Sequence, residues 1–194
     1  MHKFLLILVI LFTLTFKAEA SHVMGGELTW QCQGGSYVFT LVFYRDCNGA
    51  EVNTISENIR VWNHPTITSL TLPFVSRIDI SPTCNPVAGS PVPLDCGVGN
   101  NGGNGVGAIE KITYRSAPIA LPGTPGANGW IFTYENFSRS NSLTNISNPS
   151  TYGITLAAKM YAVPGAATVC IDNSPVFLQE PYFVSCAGTP YQYN

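Results

Sequence analysis

Six cysteines, three histidines and a scatter of carboxylates are the residues of this chain that could do chemistry. The cysteines are Cys32, Cys47, Cys84, Cys96, Cys170 and Cys186, an even set at spacings of 15, 37, 12, 74 and 16 residues. No CxxC pair occurs among them, so a zinc knuckle has no ligand pattern, and disulfides are the chemistry the set predicts in an exported chain. Sequence leaves 15 connectivities open, of which closure of short loops favours Cys84 with Cys96 and Cys170 with Cys186.

The other reactive groups point to no catalyst. His22, beside the Ser21 amine, would hold a copper-like ion only weakly, and His64 precedes Pro65 with no ligand partner in sequence. Neither HExxH nor a GxSxG elbow is present. Glu27, Asp46, Asp79, Asp95, Glu110 and Glu135 could supply the carboxylate pair of a glycoside hydrolase, but their spacing selects no pair. No catalytic, cofactor-binding or metal residue is therefore expected. Gly97-Val-Gly99-Asn-Asn-Gly102 satisfies GxGxxG, yet no strand leads in, no helix follows, and a calcium loop would need aspartates it lacks. The segment reads as a flexible loop. Trp30, Trp62 and Trp130 fall on separate strands and read first as core residues. Were Trp62 or Trp130 exposed with nearby tyrosines, it would offer a ring for stacking a sugar.

Stepping along the chain shows what must position these groups. Residues 21–49, SHVMGGELTWQCQGGSYVFTLVFYRDCNG, alternate apolar and polar on both sides of Gly34-Gly35, the signature of a β-hairpin turning at residues that accept positive φ. Parity sets the register: Cys32 opposite Tyr37, Trp30 opposite Phe39 and Leu28 opposite Leu41. Ten residues of strand, about 33 Å, separate Tyr37 from Cys47, far beyond the roughly 7 Å that bonded cysteines tolerate. Cys32 and Cys47 must each reach a cysteine elsewhere. Arg45-Asp46 closes the hairpin, with the arginine stem along the core face.

Residues 1–20 carry a basic start, an apolar run from Phe4 to Phe16 and Ala18-Glu19-Ala20, which predicts a secretory signal peptide cleaved after Ala20. The run is too short to span a bilayer, and no transmembrane span is expected. Beyond it stand seven Lys+Arg and ten Asp+Glu, a net charge of about −3 with no basic stripe, which argues against a nucleic-acid partner.

Strands are predicted at Ile59–Trp62, Thr66–Leu72, Phe74–Ile80, Ile109–Arg115, Trp130–Phe137 and Tyr152–Val163, with prolines at strand ends and turn-forming runs between. Ser81–Gly107 is a long Gly/Pro-rich loop. Eight to ten strands without helical periodicity predict an all-β fold over 21–172: an antiparallel, immunoglobulin-like β-sandwich, disulfide-stapled, with a closed barrel as the alternative. Residues 173–194 read as a linker and the start of a following β-domain, or as the last strands of the sandwich.

Four motifs, SHVMGGELTWQC, YRDCNG, SPTCNP and NSPVF followed by a later cysteine, together resemble the N-terminal region of large secreted surface proteins of gliding Gram-negative bacteria. The resemblance implies gliding-motility-associated, PKD-domain-containing proteins exported by type IX secretion. It also implies further β-domains of the same polypeptide as partners, and a structural or adhesive role at the cell surface. With no repeats or sorting domain before Asn194, the chain is expected to be a fragment. The expected function is an extracellular structural or adhesive module without catalysis or cofactor. The alternatives are a carbohydrate-binding module, with surface polymers or glycans as partners, and last a secreted hydrolase.

Overall fold

The computed structural model describes residues 23–49, 52–82, 94–97, 102–105, 107–137, 139, 143–162, 165, 170 and 172–180. The signal peptide expected over 1–20, His22, Cys84, Cys186 and residues 181–194 of the expected linker or following β-domain lie outside the described residues.

Among the described residues, seven strands form the fold: β1 (Val23–Gln33), β2 (Ser36–Asp46), β3 (Ser56–Trp62), β4 (Ser69–Asp79), β5 (Ile109–Arg115), β6 (Trp130–Phe137) and β7 (Gly153–Met160). All strand pairings are antiparallel, in the order β1-β2-β5-β4-β3-β6-β7. The β1–β2 register matches the parity argument, with Cys32 opposite Tyr37, Trp30 opposite Phe39 and Leu28 opposite Leu41. Gly34 and Gly35 take φ of 56° and 84° at the turn, the pair of left-handed residues a two-residue hairpin turn requires.

The two segments expected on either side of Pro73 are one strand. Ser69–Pro73 of β4 pair with β3, whereas Phe74–Asp79 pair with β5 across a bulge between Phe74 and Ser76. Pro73 has no N–H to offer the ladder, so it marks the corner where the strand changes partner and carries one layer into the other. The result is an all-β sandwich whose single sheet is nearly closed into a barrel.

Closure falls between β1 and β7, where Gly26 makes room. A Cβ there would stand 2.6 Å from the Val42 carbonyl oxygen and 2.7 Å from Leu156 Cδ1, so β7 can approach β1 only because the side chain is absent. Inward side chains from the strands meet in one main core, and Cys47, Cys96 and Ala108 form a small second cluster. Phe39 packs on Phe132 at 4.6 Å, and Phe43 lies between Tyr114 and Tyr134 at 5.7 and 5.9 Å. Each such buried ring contributes about 2–3 kcal/mol through the apolar surface it removes from water.

The disulfides join remote parts of the chain. Cys32 bonds Cys170 and Cys47 bonds Cys96, with sequence separations of 138 and 49. Cys32 and Cys47 are thus not partners, as strand length dictates. The short-loop pairings are corrected: Cys96 is taken by Cys47 and Cys170 by Cys32, because the sheet brings those cysteines together and loop closure alone does not rank pairs already held by strands.

The Cys32–Cys170 bond fixes the next segment along the outer edge of β1. Ser174 N donates to the Trp30 carbonyl at 3.0 Å, Trp30 N to Ser174 Oγ at 2.9 Å, and Cys32 N to Asn173 Oδ1 at 2.6 Å. Asn173 and Ser174 therefore belong to the sandwich, covering an edge strand that would otherwise be open to pairing. Around Cys47–Cys96 the glycine-rich stretch is tied in as well. Gly102 N donates to the Cys47 carbonyl, Asn104 N to the Asp95 carbonyl, and Gly103 packs where a Cβ would meet Ala108 Cβ at 2.5 Å. Close packing accounts for Gly103 and Gly105, where a Cβ would crowd Ala108 and Leu94, while Gly97 and Gly102 take the positive φ that glycine accepts.

Candidate functional site

Alternation along β3 turns Ile59 and Val61 inward and leaves Asn58, Arg60 and Trp62 on the outer face. Trp62 is 44 % exposed while Trp30 and Trp130 are buried, Trp130 at 2 %. Of the two tryptophans expected as stacking candidates, only Trp62 can meet a ligand. Trp130 is corrected to a core residue.

The outer face has a fixed register. Trp62 pairs with Ile131 and Ile131 with Lys159, so the three stand in one row across β3, β6 and β7. In the next row Arg60 pairs with Thr133 and Thr133 with Ala157. Trp62 Nε1 donates to Thr133 Oγ1 at 2.9 Å. This diagonal bond crosses from one row to the other, holds the indole against the sheet and satisfies its only polar atom. The Arg60 guanidinium lies 6.0 Å from the Trp62 ring centre, and Lys159 Nζ lies 4.9 Å from that of Tyr161, itself exposed. Both are cation–π contacts.

The turn after Trp62 is built to hold it. Asn63 takes φ of 64° and its Nδ2 donates to the Gly129 carbonyl at 3.1 Å. His64 is 9 % exposed and lies against Trp130, ring centres 4.5 Å apart. Its Nδ1 accepts from Thr66 N at 3.2 Å and Ile67 N at 3.0 Å, so the proton of the neutral ring must sit on Nε2. Nε2 is buried without a hydrogen bond of normal geometry. Burial pushes the His64 pKa down, and the nearby Pro122 carbonyl offsets this in part. Protonation would put an N–H where two backbone N–H groups already point. His64 is a positioning residue for the turn and no ligand site.

The six carboxylates considered for hydrolysis do not converge. Glu110 is wholly buried between two arginines: Arg45 Nε donates to Oε1 at 2.6 Å and Arg77 Nε to Oε2 at 2.5 Å. Arg45 is equally buried and also donates to the Gly49 carbonyl, so it goes further than lying along the core: it is one arm of an internal ion cluster centred on Glu110 at the end of the hairpin. Glu27 accepts from the Tyr44 hydroxyl, and burial with this neighbouring carboxylate raises the Tyr44 pKa. Asp46 accepts from Asn48, Asp79 from Ser81 N and Cys96 N, and Asp95 from Gly97 N and the Asn104 side chain. Five of the six thus fix turns, strands or the disulfide loop. Glu135 is exposed on the outer face of β6.

Glu57 was not among them. It lies on the inward parity of β3 and burial raises its pKa, while Tyr134, in the same aromatic end of the core, is pushed up to about 12 chiefly by burial. Alternation from Ile59 and Val61 is the signal that places Glu57 inside. Sequence reasoning missed Arg60 and Lys159, although Arg60-Val-Trp62 and Lys159-Met-Tyr161 share a cation-x-aromatic spacing; within β3 this puts Arg60 and Trp62 on one face, and Tyr161, just past the end of β7, meets Lys159 directly.

Among the described residues, no group of three or more His, Cys, Asp or Glu side chains could hold a metal ion, and no helix is long and apolar enough to cross a membrane. No family model, curated protein or solved structure matches this chain.

Proposed function

We propose that the chain is an extracellular structural or adhesive module of a cell-surface protein. In this reading it is the leading β-domain of a larger gliding-motility-associated polypeptide, exported by type IX secretion and followed by PKD-like domains, as the resemblance of its motifs implies. The observation that carries the reading is the covalent scaffold. Two disulfides tie β1 to residue 170 and the end of β2 to residue 96, bonds that persist in an oxidising compartment and not in a reducing cytosol. A covered β1 edge and a buried ion cluster leave a rigid body that presents its outer sheet face.

A second reading, a carbohydrate-binding module, is favoured by the exposure and fixed orientation of Trp62. A secreted hydrolase has the least support, since five of the candidate carboxylates already serve the fold.

Antibody labelling of intact source cells tests the main reading. Labelling that external protease removes, together with weaker surface attachment after deletion of the gene, is the expected outcome. Recovery of the protein in the cytosol with its cysteines reduced would refute it.

A further inference from the structure

The geometry points to the outer face of β3, β6 and β7 as a binding site for an anionic polysaccharide, one bearing carboxylated sugars. The inference rests on the surface-module reading and names its partner.

The residues of the face argue for it in three ways. Two aromatic rings, Trp62 and Tyr161, lie on the same face, 44 % and 56 % exposed. Trp62 is level with Lys159 across β6, and Tyr161 follows two residues later, just past the end of β7, so the two backbones are about 12 Å apart, the span of a short run of sugar units and not of one. Trp62 is held in place by Thr133, so little side-chain freedom is lost when a pyranose packs its C–H face on the indole.

Each ring has a cation beside it, Arg60 at 6.0 Å and Lys159 at 4.9 Å. Cations placed at both rings give a sugar carboxylate a partner wherever its ring stacks. Glu135 is the acid among the described residues of this face: along β6 it stands about 13 Å from the Trp62 row and about 7 Å from the Arg60 row, so Lys159 at the Trp62 row is the cation farther from it. The chain as a whole is negative, so attraction of an anionic polymer must come from this local pair.

Ile131 stands between Trp62 and Lys159, and polar side chains surround this apolar centre on β3, β4, β6 and β7. Asn58, Ser69, Thr71, Thr133 and Thr155 share the outer parity, giving hydroxyl and amide groups that match sugar hydroxyls. A protein partner would want a wider contiguous apolar centre. Gly129, at a φ of 69°, lets Tyr161 and Lys159 lie close to the sheet: a Cβ there would stand 2.7 Å from the Met160 carbonyl oxygen and 3.3 Å from Tyr161 Cδ1.

The experiment is affinity electrophoresis and calorimetry of the purified, oxidised chain with alginate, a polyuronate, against neutral mannan. Wild type is expected to bind alginate at least about tenfold more tightly than mannan, with affinity falling as salt is raised. Trp62→Ala and Tyr161→Ala should each weaken alginate binding about tenfold, the scale of one lost ring contact. Arg60→Gln with Lys159→Gln should erase the preference for alginate while keeping residual mannan binding. Thermal unfolding checks that each variant is folded, and Tyr161→Ala serves if Trp62→Ala is not. Equal binding by wild type and folded ring variants, or no binding of alginate, overturns the proposal. So does self-association of wild type that Trp62→Ala abolishes without alginate binding, which would make the face a protein interface. Binding by the purified chain is independent of where cells place it, so its failure is distinct from a failure of surface labelling.

Discussion

Replacing Glu110 by Gln keeps the shape of the side chain and removes the charge that Arg45 and Arg77 share. Arg45 and Glu110 have no side-chain exposure and Arg77 has 14 %, so the lost carboxylate cannot be replaced by water at Arg45 without opening the sheet. Breaking a buried ion pair by removing one partner costs about 3–5 kcal/mol. Against a total of about 5–15 kcal/mol for a domain, that is a large share, and it lowers the melting temperature by about 6–20 °C. Arg77→Ala is the control: it leaves the Arg45–Glu110 pair in place and removes a partly solvated donor, costing about 1–3 kcal/mol. Arg45→Met with Glu110→Leu should recover most of the loss of Glu110→Gln, because the desolvation penalty of both charges goes with them. Urea titration at neutral pH with the disulfides intact measures all three. If Glu110→Gln costs less than about 1 kcal/mol, or no more than Arg77→Ala, the cluster is not the buried, mutually dependent unit described here.

Three further outcomes are expected. His64 is held neutral, with its pKa below the unfolded value of about 6.5. The stability it contributes is complete above that pH and is lost as pH falls through the folded pKa. His64→Asn keeps an acceptor for the turn and does not titrate, so its urea stability should decline less than wild type from about pH 6.5 to 5; parallel curves would count against the assignment. Glu57 has the opposite sense: its folded pKa is raised by burial, so stability falls as pH rises from the unfolded value through the folded one. Glu57→Gln should therefore be more stable than wild type at pH 7, with the gain vanishing in acid, read from melting curves across that range. Gly26→Ala should cost about 1–3 kcal/mol in chemical unfolding, because the new methyl meets Val42 and Leu156 where β1 and β7 close; a neutral effect would mean the closure is loose.

Local rules explain why the first hairpin could be read from sequence. Its register follows from a period of two and a Gly-Gly turn, and both are properties of neighbours in the chain. The same rules gave β5 and β6 their full extents. They failed at Pro73, where a proline that ends a strand and a proline that turns a corner look alike until the partners of β4 are known. The face carrying Trp62 was half legible. Alternation puts Arg60 beside Trp62, but only the pairing of β3 and β7 with β6 brings Trp62 level with Lys159 and so onto one face with Tyr161.

Sequence by itself determined the all-β class, the hairpin register and the impossibility of a Cys32–Cys47 bond, because strand rise and side-chain alternation are fixed by covalent geometry. Tertiary structure alone decided which cysteines meet, which tryptophan is open, and that Arg45, Arg77 and Glu110 form one cluster. Those depend on contacts between residues 33 to 138 positions apart, or between faces whose burial is known only once both layers are in place.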